Sequence, residues 1–102
     1  ENLDRFQETP LSGPLCDLIW ADPREDFDQI NDQQPDFVAN NVRGCSYFFS
    51  YYACRDFLLR NKLLSIVRGH EVQKDGVRFF RQSSRTKFPV LISLFSAPNY
   101  CD

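Results

Sequence analysis

From residue 46 to residue 95 the chain alternates short β-forming runs with one helical stretch, and that order confines it to a mixed α/β fold. Residues 46–50 (Ser-Tyr-Phe-Phe-Ser) form an aromatic strand pattern. Residues 52–61 read as a helix, with Phe57 and Leu58 inward and Arg55, Asp56 and Arg60 outward. Residues 63–67 read as a buried strand that Gly69 ends, and residues 77–81 and 90–95 as two more strands. A polar turn over 83–87 separates those two, and Asp75-Gly76 is a tight-turn pair. The pattern predicts a mixed sheet with helices on its face.

Upstream, residues 10–14 are a turn cluster. Pro14 suits the first turn of a short helix over 15–20. Pro23 disfavours a helical Asp22, so that helix stops before it. Residues 21–40 are rich in Asp, Asn and Gln, and read as an acidic surface loop.

Composition excludes several classes. With 42% hydrophobic and 25% charged residues among 102, the chain is neither disordered nor a coiled coil. Its longest apolar run, 90–95, is too short to span a bilayer, and residues 1–8 are too charged for a signal peptide. The four cysteines (Cys16, Cys45, Cys54 and Cys101) include no C-x-x-C pair. Reduced cytosolic thiols fit this aromatic-rich sequence better than a disulfide scaffold does. The chain contains no Met and stops in a loop after an apolar strand, as a piece of a larger protein would.

Charge is unevenly spread. Residues 1–40 hold ten acids and two bases, a net of −8, whereas residues 41–102 hold four acids and ten bases, a net of +6. Nine of the twelve bases are Arg, whose planar fork suits phosphate or carboxylate. The two parts either neutralise each other across the fold or leave a basic face for an anionic ligand. Nucleic acid is disfavoured, because no such motif is present and the acidic part repels phosphates.

Few side chains offer chemistry. His70 is the one histidine and follows the strand over 63–67, at an end where α/β folds place ligands. A lone His is a packed residue or one ligand of a site completed elsewhere. Arg43 precedes Gly44 at the start of the aromatic strand, and either clamps an oxyanion or pairs with the acidic loop. Tyr100 sits in the loop 96–100, either projecting to a ligand or packed on its sheet edge. Trp20 and Asp22 flank Ala21, as groove wall and polar partner or as core and surface residues. No glycine-rich phosphate loop and no H-e-x-x-H helix pattern occurs.

Four segments occur in a telling order: Asp17-Leu18-Ile19-Trp20-Ala21-Asp22-Pro23, Val42-Arg43-Gly44-Cys45-Ser46-Tyr47, Arg68-Gly69-His70-Glu71 and Ser96-Ala97-Pro98-Asn99-Tyr100. Together they resemble the C-terminal half of the catalytic domain of the PPP-family serine/threonine protein phosphatases. Residues 2–6 and 43–51 resemble most the calcineurin (type 2B) branch. Cys101 before Asp102 combines the type 1 and 2A pattern with that of type 2B.

The resemblance implies a metallophosphoesterase fold, two stacked β-sheets flanked by helices, of which residues 1–102 are one part without separate domains. It implies hydrolysis of phosphoserine and phosphothreonine on proteins by a metal-activated hydroxide at a dinuclear centre of iron and zinc, or manganese. His70 matches the family's last metal-binding histidine, and Arg43 an arginine that holds the substrate phosphate. Tyr100 matches the tyrosine of a loop over the active site, and Trp20, Asp22 and Cys101 match residues of the substrate groove. The remaining ligands belong to motifs that this chain does not contain, so the isolated chain is expected to be inactive. A calcineurin B-like regulatory subunit and calmodulin would bind outside it, and a cytoplasmic location, with the nucleus as a second compartment, follows from the same likeness. The competing reading is a non-catalytic scaffold or pseudophosphatase module.

Overall fold

The computed structural model describes residues 6–29 and 35–97. Its elements run α1 (Pro14–Trp20), β1 (Asp22–Pro23), β2 (Phe37–Ala39), β3 (Tyr47–Phe49), α2 (Tyr51–Asn61), β4 (Ile66–Arg68), β5 (Val77–Phe79) and β6 (Leu91–Leu94). The mixed α/β class is as expected, and the strands divide into two sheets, as the family resemblance implies and the single sheet read from the strand pattern does not. The first has the order β1-β3-β2, and the second β4-β6-β5. Each joins one parallel and one antiparallel pair, with β1 parallel to β3 and β4 parallel to β6.

Pro14 opens α1, as its fixed φ and missing N–H favour. The helix ends at Trp20, and Ala21 turns extended ahead of the Asp22-Pro23 strand pair. Ser50 caps α2 by accepting a hydrogen bond from the Ala53 N–H at 3.1 Å. The helix closes on Lys62, which adopts a left-handed conformation. Around it Leu63 N–H donates to the Leu58 carbonyl and Lys62 N–H to that of Leu59, a Schellman closure.

Residues 21–40 are not one surface loop. They contribute β1, β2 and a core residue, Phe27, that is 0% exposed. Its ring meets those of Phe49, Tyr51 and Phe80 edge-on, at centroid separations of 6.3, 6.1 and 5.2 Å. Tyr51, Cys54, Leu58, Val90 and Leu91 complete the core. A lone aromatic among polar residues has no periodicity, so sequence patterning misses it.

Two burial expectations also change. Phe57 points outward, whereas its neighbour Leu58 is buried. Leu63, Leu64 and Val67 are exposed, Val67 by 61%. An apolar run identifies a strand, but not which of its faces is covered. Here the described residues cover the face of Leu91 and Ser93, while Val67, paired with Ile92, lies on the other. No helix among the described residues is long and apolar enough to cross a membrane.

The uneven charge resolves into pairing across the fold. Arg43 and Arg68 both reach Asp22, and Arg78 reaches Asp28 at 3.0 Å, so bases of the second part meet acids of the first.

Candidate active site

The site forms where the two sheets come together. Asp22 opens β1, Arg43 lies in the turn between β2 and β3, and His70 follows β4. Gly44 (φ 79°) and Ser46 (φ 60°) let that turn fold back; glycine enters the left-handed region without a steric cost, whereas Ser46 bears one for its Cβ. Asn40 organises its start: the side-chain carbonyl accepts from the Arg43 N–H at 3.0 Å.

Asp22 is the hub, and it is only 4% exposed. Its Oδ2 accepts from Arg43 Nε at 2.8 Å and from Asn40 Nδ2 at 3.0 Å. Its Oδ1 accepts from Arg68 Nη2 at 3.2 Å and from Arg43 Nη2 at 3.4 Å. Burial alone would push the carboxyl pKa up. The hydrogen bonds from Arg43 and Asn40 and the charges of Arg43 and Arg68 outweigh it and hold the group below its ordinary value. The hydrogen bond to Asp22 in turn raises Arg43. The pair is bidentate along one guanidinium edge, and no described residue hydrogen-bonds to Arg43 Nη1.

His70 stands beside this pair. Its ring meets Trp20 edge-on at 5.0 Å, and the Arg43 guanidinium lies 5.9 Å from the Trp20 ring. Nε2 is buried, lacks any hydrogen-bond partner among the described residues, and is 4.0 Å from Asp22 Oδ1, beyond hydrogen-bond reach. Burial, and then the charge of Arg43, lower its pKa, which favours the neutral imidazole. His70 also holds φ at 87°, a costly conformation for a residue with a Cβ. An orphaned, neutral, strained imidazole fits a metal ligand. Among the described residues no three His, Cys, Asp or Glu side chains converge on a metal position, so His70 would be a single donor.

Trp20, Asp22, Arg43 and His70, separated by up to 50 positions, are thus brought together. Arg43 does pair with an acid of residues 21–40, but with a buried one rather than with a surface loop. Gly69 has room for a Cβ, which would meet the Leu94 carbonyl at an ordinary 3.6 Å. Tyr100 and Cys101 lie outside the described residues. The sequence reading did not single out Asn40, Arg68 or Glu71 for roles. Their signal was adjacency, Asn40 to the Arg43 turn and Arg68 and Glu71 to His70.

Known proteins resemble this chain over nearly its whole length. The profile of the calcineurin-like phosphoesterase family matches residues 1–74. The serine/threonine-protein phosphatase 2B catalytic subunit A1 of Saccharomyces cerevisiae is 46% identical over 98% of the chain, which is 19% of that protein. The serine/threonine-protein phosphatase 6 catalytic subunit of Caenorhabditis elegans is 34% identical over 97% of the chain and 26% of its own length. A solved structure of a protein serine/threonine phosphatase from Saccharomyces cerevisiae, with similarity to human phosphatase PP5, superposes with a TM-score of 0.69. It is 37% identical, over 99% of this chain and 27% of that one. The chain therefore spans about a fifth to a quarter of the length of these relatives.

Proposed function

This chain belongs to the calcineurin-like phosphoesterase family, and on that footing we propose that the whole protein hydrolyses phosphoserine and phosphothreonine esters on proteins. The observation that carries the reading is the convergence of an anion donor, Arg43 Nη1, with an orphaned imidazole nitrogen, His70 Nε2, around one buried carboxylate. When bound, two metal ions, iron and zinc or manganese, supply positive charge to the phosphoryl oxygens and lower the pKa of the attacking water.

The chain's own residues do the rest. His70 offers Nε2 as one metal ligand, kept neutral by burial and by Arg43. Arg43 binds a phosphoryl oxygen through Nη1 while Asp22 fixes its opposite edge. The charge on the equatorial oxygens grows toward the transition state, so a donor held there in advance lowers the barrier. Trp20 forms a wall against both side chains. Tyr100 and Cys101 belong to the same groove on this reading. The proposal is completed by phosphoprotein substrates in this groove, by a calcineurin B-like subunit and calmodulin bound through regions outside this chain, and by a cytoplasmic and nuclear location.

The test is hydrolysis of a phosphoserine peptide by the whole protein with manganese. Activity should vanish on chelation and fall by at least tenfold in His70→Ala, with less metal retained. Tight phosphopeptide binding without turnover would support the non-catalytic module instead.

A further inference from the structure

Arg68 ends β4, two residues before His70. Its side chain is 14% exposed, and the guanidinium binds three groups at once. Nη1 donates to Glu71 Oε1 at 2.8 Å, closing the turn in which His70 holds its positive φ. Nη2 donates to the Ala21 carbonyl at 2.8 Å and to Asp22 Oδ1 at 3.2 Å. Ala21 and Asp22 belong to the junction of α1 and β1, so one side chain of the second sheet grips the first.

Asp22 Oδ1 is shared between Arg68 and Arg43. A carboxylate held by two guanidiniums takes its orientation from both. Without Arg68 the carboxylate keeps only Asn40 and Arg43, which lie close together along the chain, so among the described residues no hydrogen bond then ties its Oδ1 to the β4 end that carries the 69–71 turn. We infer that Arg68 is a positioning residue: it locks the Asp22 carboxylate and the 69–71 turn into one frame, so that Arg43 and His70 keep a fixed separation. Lysine cannot replace it, because one ammonium on a flexible stem does not span three acceptors in fixed directions. The kinetic consequence rests on the phosphatase reading, whereas the geometric one does not.

Two measurements on the whole protein, with Arg68→Lys and Arg68→Met, decide it. The first is solvent exchange of the Arg43 Nε–H, followed by NMR with labelled arginine. Asp22 protects that proton in the native protein, and exchange should be at least about tenfold faster in both variants. The second is turnover of a small aryl phosphate, with melting temperature and metal content measured alongside. Arg68→Met should lower kcat about tenfold, with a smaller change in KM. In an Arg43→Ala background the same replacement should cost less than about twofold, since the residue it acts through is gone. Equal losses in both backgrounds, or unchanged Arg43 exchange in a folded Arg68→Lys protein, would overturn the assignment. A native protein without phosphatase activity would overturn the functional reading alone, and the exchange measurement would then decide the role of Arg68.

Discussion

Arg43 is the side chain whose shape matters beyond its charge. Its Nε–Nη2 edge is engaged by Asp22, and on the proposed function Nη1 is the donor to the phosphoryl group. Arg43→Lys keeps the positive charge but cannot serve both sides from one nitrogen. Turnover of a small aryl phosphate by the whole protein should fall about a hundredfold, with a smaller change in KM. Near-normal turnover with a slightly lower melting temperature would leave Arg43 as a structural ion-pair partner only. Cys54 makes a prediction of another kind. Burial pushes its thiol up to about 12, although the Arg68 charge pulls the other way. The folded protein thus keeps a proton that the unfolded chain releases near pH 8.5. Between those values the unfolded state binds fewer protons, so stability falls as pH rises, by about 1.4 kcal/mol per pH unit. Native protein should lose melting temperature faster than Cys54→Ala between pH 8 and 10.5. Parallel curves would mean that Cys54 is solvated.

Helix α2 shows how local chemistry sets an element that later carries core residues. Ser50 satisfies its N-terminus and Lys62 ends it in a left-handed turn. A residue with a Cβ pays roughly 1–2 kcal/mol for that conformation, and glycine does not. Lys62→Gly relieves the strain while adding freedom to the unfolded chain, for a net gain of about 0.5–1 kcal/mol. The melting temperature should rise by about 2–4 °C, and a fall would show that the Lys62 side chain contributes contacts worth more than the strain. Of this helix, the sequence showed the span and the buried Leu58, since both follow from 3.6-residue spacing. It misplaced Phe57 because adjacent apolar residues straddle the boundary of the buried stripe.

The molecule as a whole is held by contacts that cross its acidic and basic parts. Phe27 leaves the acidic stretch to fill the centre of the core, and Arg43, Arg68 and Arg78 follow the same direction in charge. Phe27→Ala should cost about 3–5 kcal/mol, because three rings lose their edge-on partner and the space cannot fully close. Denaturant unfolding of the whole protein measures it. A loss under about 1 kcal/mol would place Phe27 outside the core. The same substitution should disturb the site, since the Phe27 N–H bonds the Arg24 carbonyl, two residues beyond Asp22.

Helix α1 ending before Asp22-Pro23, the aromatic strand β3, the span of α2 and the Asp75-Gly76 turn were all legible along the chain. Each depends on backbone preferences and side-chain periods that act within about four residues. The motifs naming Trp20, Asp22, Arg43 and His70 were legible too, through their likeness to a family. The division into two sheets was legible only through the same likeness, and the burial of Phe27 and the exposed face of β4 were not legible at all. Nor was the carboxylate shared by two arginines: Arg68 meets Asp22 across 46 positions, and the Arg81 N–H meets Asp28 across 53. Such pairings have no local signature, because the energy that selects them exists only once both sheets have formed and brought the partners within reach.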